Sequence, residues 1–234
     1  MRELQTYSNI VVLTGAGISA ESGLKTFRDN DGLWEGHRVE DVATPEAFLR
    51  SPETVHRFYN MRRQQLIEEA EPNDAHAALA KFEEQFQGQY LLVTQNVDDL
   101  HERAGSKKLI HMHGELRKAW CTYCDGTFIW ERELTTDICC PSCKQSGYMR
   151  PNIVWFGEIP YQMDEIQTRL LECDLFVSIG TSGNVYPAAG FVQFARSAGA
   201  DTLELNLEPS LGNQHFLVCE QGKATDLVPQ YFKL

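Results

Sequence analysis

Asn9-Ile10-Val11-Val12-Leu13-Thr14-Gly15-Ala16-Gly17-Ile18-Ser19-Ala20 is the stretch whose reading decides the fold. An uncharged run of β-branched and aliphatic residues leads directly into a G-x-G-x-x-A turn. Such a run reads as a strand buried on both faces, as in a parallel sheet with helices on each side. The glycines permit a tight turn and close backbone approach, and the helix that follows presents free N–H groups to a diphosphate. Alone, the same pattern also describes a glycine-rich turn that only packs a helix on a strand. The rest of the chain has to decide.

Similar runs occur at 90–94 (YLLVT), 174–179 (DLFVSI), 201–206 (DTLELN) and, more weakly, 108–112 (KLIHM). Helix-like stretches separate them, which predicts an α/β fold built on a Rossmann-like parallel sheet. Small and polar residues follow each run: Gln95-Asn96-Val97-Asp98, Gly180-Thr181-Ser182-Gly183, Asn206-Leu207-Glu208 and His113-Gly114-Glu115. Ligands bind beyond the carboxyl ends of parallel strands, so these segments are expected to form one shared site.

Two segments do not read as sheet. Residues 36–80 are helix-like, with Ser51 as an N-cap and Pro52 in the first helical position. Residues 120–148 are cysteine-rich and lack helical periodicity. The expected organisation is a Rossmann-like domain of residues 1–35, 81–118 and 150–234. A helical module (36–80) and a metal-held module (119–149) together form a smaller inserted domain.

The chain has 234 residues, 42% of them hydrophobic and 23% charged, enough for a sizeable core in one domain with an insertion. No run reaches the roughly 18 apolar residues of a membrane helix, and the first residues do not read as a signal peptide. Twenty-one basic against 33 acidic side chains give a net charge of -12, a poor match for a nucleic-acid backbone. No nucleic-acid or membrane partner is expected, and the cytoplasm is the default compartment.

Cys121-x-x-Cys124 and Cys140-x-x-Cys143 are separated by fifteen residues, the spacing of a four-thiolate zinc site. With no place reserved for water, one structural Zn2+ is expected, although Cys139 adjoins Cys140 and could replace it. His113 stands at a strand end beside a glycine that clears space. Imidazole titrates near neutrality, which suits a general base. His111, two residues earlier, is expected to face the other way. A hydride-transferring dehydrogenase would place a second strand and an acidic residue roughly 20 residues after the glycines. Phe27-Arg28-Asp29-Asn30-Asp31-Gly32-Leu33-Trp34 stands there instead, and no strand is expected in it.

Taken together, the motifs resemble those of the sirtuins, NAD-dependent protein deacylases. They are Gly15-Ala16-Gly17-Ile18-Ser19-Ala20-Glu21-Ser22-Gly23, Thr26-Phe27-Arg28, Thr94-Gln95-Asn96-Val97-Asp98, Leu100-His101, His113-Gly114-Glu115, the four cysteines, Val154-Trp155-Phe156-Gly157-Glu158 and Gly180-Thr181-Ser182. Lys25 stands where that family usually has Pro, and Val97 where Ile is common; neither removes a functional group. The resemblance implies that NAD is consumed. The acyl-lysine oxygen displaces nicotinamide to give an O-alkylimidate, His113 acts as general base on the ribose hydroxyls so that the 2′-oxygen attacks the imidate carbon, and water completes the release of free lysine and O-acyl-ADP-ribose. It also implies that Asn96 and Asp98 hold the nicotinamide ribose and carboxamide, with Gln95 on ribose. Arg28 would lie near the phosphates, and Phe27 would shield the reacting carbon. Gly180, Thr181, Ser182, Asn206, Leu207, Glu208 and Ala224 would line the adenosine half. Val154, Phe156 and Gly157 would receive the acylated-lysine peptide as an added strand.

Val55, Tyr59, Arg62 and Leu66 form one helical stripe. An Arg in an apolar stripe needs an anion or a route to water, and the plain reading is snorkelling beside a solvent-facing Arg63. Tyr59-x-x-Arg62, however, is similar to the signature of sirtuins that remove succinyl, malonyl or glutaryl groups, in which a planar guanidinium matches the acyl carboxylate. The expected activity therefore covers acetyl and acidic acyl groups. A mono-ADP-ribosyltransferase, or a non-catalytic NAD- or ADP-ribose-sensing module, is the competing reading. Product mass separates the first, and the retained base His113 disfavours the second.

Overall fold

The computed structural model describes residues 3–24, 33–34 and 37–233. In chain order the elements begin with strand β1 (Asn9–Thr14), helix α1 (Ala16–Ser19), the short β2 (Leu33–Trp34) and β3 (His37–Arg38), and helices α2 (Val39–Val42), α3 (Pro45–Arg50), α4 (Pro52–Glu68) and α5 (Asp74–Gln85). There follow β4 (Gln89–Thr94), α6 (Leu100–Ala104), β5 (Leu109–His111), β6 (Gly114–Cys121), β7 (Thr127–Ile129) and β8 (Met149–Ile153). The chain continues with α7 (Met163–Glu172), β9 (Leu175–Ile179), α8 (Phe191–Ser197), β10 (Asp201–Asn206), β11 (Val218–Gln221) and α9 (Ala224–Tyr231).

All five expected strands are present, and they join β11 in one parallel sheet of order β11-β10-β9-β1-β4-β5. From β1 the chain builds outward to β4 and β5 on one side, then returns to build β9, β10 and β11 on the other. That reversal beside β1 opens a crevice at the carboxyl ends, between the turns that follow β1 and β9. Strand β11 escaped the sequence reading because Val218-Cys219-Glu220-Gln221 is polar and lies at an edge with three of four residues exposed. Edge strands need no apolar run. Leu33 and Trp34, in the segment expected to hold no strand, form β2, a short antiparallel pair with β3 that stands outside the parallel sheet.

Helices cover both faces, as the continuous apolar strands require. On one face Ile10, Val12, Leu92, Val177 and Leu203 pack on Ala75, Leu79 and Phe82 of α5 and Val228 of α9. On the other, Val11, Val93 and Phe176 meet Ile166 and Leu170 of α7 and Phe191, Val192 and Ala195 of α8. The helix-like stretch 36–80 is thus divided. Helix α5 runs on to Gln85 under the main sheet, started by a capping box in which Asn73 Oδ1 accepts from the Ala75 and His76 N–H groups. Helices α2 to α4 form a separate core of Val42, Ala47, Val55, Phe58, Tyr59 and Leu66 with Leu116, Ile153 and Trp155. Ser51 and Pro52 open α4 as expected, but Ser51 makes no capping bond. Its hydroxyl donates to Thr54 Oγ1 at 2.8 Å instead.

Beyond β5 the chain leaves the parallel sheet, and β6 pairs antiparallel with both β7 and β8. This three-stranded sheet carries the cysteine-rich segment, whose own core is only Ala119, Trp130, Leu134 and Met149 around buried Cys121 and Cys140. No helix among the described residues is long and apolar enough to cross a membrane.

Arg63 corrects the sequence reading. Expected to face solvent, it is 1% exposed. Its Nε donates to the Leu116 carbonyl at 2.8 Å, and its Nη1 donates to Asn60 Oδ1 at 2.9 Å and the Arg132 carbonyl at 3.3 Å. One guanidinium therefore ties α4 to β6 and to the loop entering the cysteine-rich lobe. Helical periodicity puts Arg63 four residues after Tyr59, at the edge of the apolar stripe, and nothing in that pattern reveals that β6 and the segment at Arg132 close over that edge. Arg63→Met is expected to cost about 2–4 kcal/mol, because carbonyls bonded to a cation lose their donor inside the protein. Denaturant melts of Arg63→Met and Arg62→Met should show the loss for the first and little change for the second.

Candidate active site

Segments following all six parallel strands line one cleft of about 790 Å³ between the main sheet and the smaller unit. After β1 come Gly15, Ala16, Gly17, Ser19 and Ala20; after β4, Gln95, Asn96 and Asp98; after β5, His113. Gly180, Thr181 and Ser182 follow β9, Asn206, Leu207 and Glu208 follow β10, and Ala224 follows β11. The smaller unit contributes Tyr59, Arg62, Val154, Phe156 and Gly157. Every expected cofactor and substrate residue thus lies on this cleft except Phe27 and Arg28, which fall outside the described residues.

The glycines allow its floor to form. The Gly17 N–H donates to the Gly180 carbonyl at 2.9 Å. A Cβ on Gly17 would stand 2.7 Å from the Gly180 Cα, and one on Gly180, whose φ is +63°, would meet the Ile18 nitrogen at 2.5 Å. Neither position has room for a side chain. The Asn206 Nδ2 donates to the Thr181 carbonyl at 2.6 Å and pins the neighbouring loop.

At the centre, the Asn96 Nδ2 donates to the Gly15 carbonyl and to Ser19 Oγ, both at 3.1 Å. Ser19 in turn donates to Asp98 Oδ2 at 3.0 Å, and the Leu100 N–H reaches Asp98 Oδ1 at 3.2 Å. Burial pushes the Asp98 carboxyl up to about 6, with these two bonds holding it down in part. The His113 Nδ1 stands 3.1 Å from the Gln95 carbonyl, which can only accept, so Nδ1 carries the hydrogen and Nε2 is the basic nitrogen. Burial lowers the His113 pKa, keeping the ring neutral at physiological pH.

Sequence reasoning missed a buried layer beneath this centre. Thr14 Oγ1 donates to Thr94 Oγ1 at 2.9 Å and lies 3.0 Å from His101 Nε2, and the His101 ring meets His76 edge-on at 4.8 Å. Both imidazoles are held neutral by burial. A helix-face pattern cannot separate such histidines from solvated ones; only the assembled fold does.

Toward the smaller unit, the Trp155 Nε1 donates to the fully buried Tyr59 hydroxyl at 2.9 Å. Burial drives the Tyr59 pKa upward, so the phenol keeps its proton. The half-buried Arg62 guanidinium lies 5.7 Å from the Phe58 ring centroid. The N–H groups of Val154, Trp155 and Phe156 donate to the His113 carbonyl, Glu158 Oε2 and the Ala43 carbonyl. Among the described residues no donor occupies the carbonyls of Val154 and Phe156, which a peptide strand would use.

The Sγ atoms of Cys121, Cys124, Cys140 and Cys143 lie within 4.8 Å of one another. Four sulfurs so gathered fit a tetrahedral thiophilic ion such as Zn2+. Cys139 is exposed and outside the group, its backbone bridging to Ser146, which resolves the choice left open by the sequence.

A parallel sheet with its site at a topological switch point, beside a cysteine-held lobe, defines an NAD- or nucleotide-handling class of fold. Residues 15–187 match the Sir2 family, and the chain belongs to that family. It is 59% identical over 223 residues to the NAD-dependent protein deacylase of Pasteurella multocida (strain Pm70), covering 95% of each chain. It is 54% identical over 234 residues to that of Bdellovibrio bacteriovorus, covering 98% of this chain and 97% of the relative. Among solved structures, a Sir2 homologue–NAD complex superposes with a TM-score of 0.89 at 37% identity, over 97% of this chain and 89% of that one. A Sir2 bound to acetylated peptide does so with a TM-score of 0.83 at 29% identity, over 97% and 93%.

One divalent ion per chain is expected by mass spectrometry of metals. Cys140→Ser should lower that content sharply, whereas Cys139→Ser should leave it unchanged.

Proposed function

We propose that this protein is an NAD-dependent protein-lysine deacylase that removes acetyl and acidic acyl groups, succinyl and malonyl among them. The observation that carries this reading is the position of His113. His113 lines the cleft and is bonded to both sides of it, its Nδ1 to the Gln95 carbonyl and its own carbonyl to the Val154 N–H. The family membership and the names of the relatives support the same assignment.

Bound NAD would supply an electrophilic ribose carbon on loss of nicotinamide, and an acceptor for the acyl group. Gly15, Ala16 and Gly17 would lie along its diphosphate; the Gly15 and Gly17 N–H groups are held by the Ile179 and Gly180 carbonyls, which leaves the Ala16 N–H, unbonded among the described residues, to face the anion. Asn96, held by Gly15 and Ser19, and Asp98, held by Ser19 and Leu100, would orient the nicotinamide-side ribose, with Gln95 beside them. Gly180, Thr181, Ser182, Asn206, Leu207, Glu208 and Ala224 would enclose the adenosine. His113 would take a ribose hydroxyl proton at Nε2, its Nδ1–H anchored on Gln95. Val154, Phe156 and Gly157 would align the peptide and its lysine stem. At the acyl end, Tyr59 keeps its proton and Arg62 its charge, a pair suited to a terminal carboxylate. The zinc expected on the four cysteines would be structural, since the surrounding lobe has little core of its own.

The test is a panel of acetyl-, succinyl- and malonyl-lysine peptides with and without NAD, following nicotinamide and acyl-ADP-ribose by mass spectrometry. Turnover should require both substrates, and His113→Tyr should abolish it for every acyl group. Arg62→Met should lower kcat/KM for the succinyl peptide about 10- to 100-fold, the equivalent of one bond to a charged group, with deacetylation largely kept. Equal loss for both peptides would contradict the carboxylate role of Arg62. ADP-ribose attached to a protein would contradict the deacylase reading.

A further inference from the structure

Expected to face away from His113, His111 serves the same loop, because residues two apart along a strand share a face. His111 closes β5, 8% exposed, with its Nδ1 3.2 Å from the Asn96 carbonyl and its Nε2 2.6 Å from Glu102 Oε1 on α6. A carbonyl and a carboxylate both accept, so both ring nitrogens carry hydrogen and the ring is an imidazolium. Among the described residues His111 is the one donor to the Asn96 carbonyl. Histidines at the end of one strand therefore grip successive carbonyls, His113 that of Gln95 and His111 that of Asn96. Their shared target, residues 95–98, carries the Asn96 amide and the Asp98 carboxyl into the cleft.

We propose that Glu102 and His111 are a positioning pair for the reaction, a charge-assisted clamp that fixes the Asn96 backbone and hence the spacing between the Asn96 amide and the His113 base. The proposal rests on the NAD-dependent reading of the cleft. Neither residue lines that cleft, so the pair acts on it from behind, through its bond to the Asn96 carbonyl and its charge beside Asp98. The ionic surroundings of His111 come from three elements. Glu102 lies on α6; Glu115 on β6 is itself bridged by Lys118 at 2.5 Å; Asp98 belongs to the loop; and the neighbouring His101 stays neutral. Burial works against the charge on His111, but the Glu102 bond, the charges of Glu102 and Glu115 and the Asn96 carbonyl outweigh it and raise the pKa. A raised imidazole pKa means that the clamp is complete below it and is lost as pH rises through it.

Glu102→Gln tests this, because the amide still offers Nε2 an acceptor while removing the charge. ADP-ribose affinity by calorimetry, and kcat and KM for NAD, are measured from about pH 6 to 9. In the unaltered protein affinity should weaken on the alkaline side as His111 deprotonates. In Glu102→Gln that limb should move to lower pH by about one unit, raising KM and Kd about three- to tenfold near pH 8 while kcat changes less than about twofold. Superimposable pH profiles, or an equal loss at every pH, would overturn the proposal. A protein that binds ADP-ribose yet releases no nicotinamide from NAD would instead sink the deacylase reading, leaving the calorimetric test of the clamp intact.

Discussion

The contact on which the structure depends is the approach of two bare backbones at the carboxyl end of the sheet, where the turn after β1 lies against Gly180 after β9. Hydrogen-bond geometry there leaves no space for a Cβ on either side. That closeness places the start of α1 at the strand-order reversal, on the wall of the cleft. Around it, each remaining parallel strand delivers its next few residues to the same crevice. The sheet's order makes the site, and the glycines let it stay open.

The second constraint acts on position rather than space. Residues 95–98 carry the polar groups at the centre of the cleft, and a loop of this kind would be mobile if only solvent held it. Here the Asn96 and Asp98 side chains are tied to Gly15, Ser19 and Leu100, while the Gln95 and Asn96 carbonyls face His113 and His111. His113 and the side chains of Asn96 and Asp98 are parts of one hydrogen-bonded unit. Such preorganisation is what proton transfer in a closed site requires.

Much of this was legible in the sequence. Apolar runs with no period-2 alternation gave parallel strands, and what followed each run gave the site, because a strand buried on both faces has no freedom to place its polar residues elsewhere. The paired cysteines announced their cluster through spacing alone. What remained hidden depended on contacts between distant segments. Arg63 is buried because β6 and the loop at Arg132 close over the edge of α4's apolar face, and β11 is a strand because an edge tolerates a polar sequence. His76, His101 and the pairing of Glu102 with His111 belong to the same class. Their types permit many roles, and only the fold selects one.

A crystal structure of the protein with ADP-ribose tests the central claim most directly. The account places the diphosphate on the backbone of Gly15, Ala16 and Gly17 beside Gly180, and the distal ribose between Asn96 and the Nε2 of His113. Density for the ligand anywhere else, or a distal ribose beyond hydrogen-bond reach of His113, would contradict it.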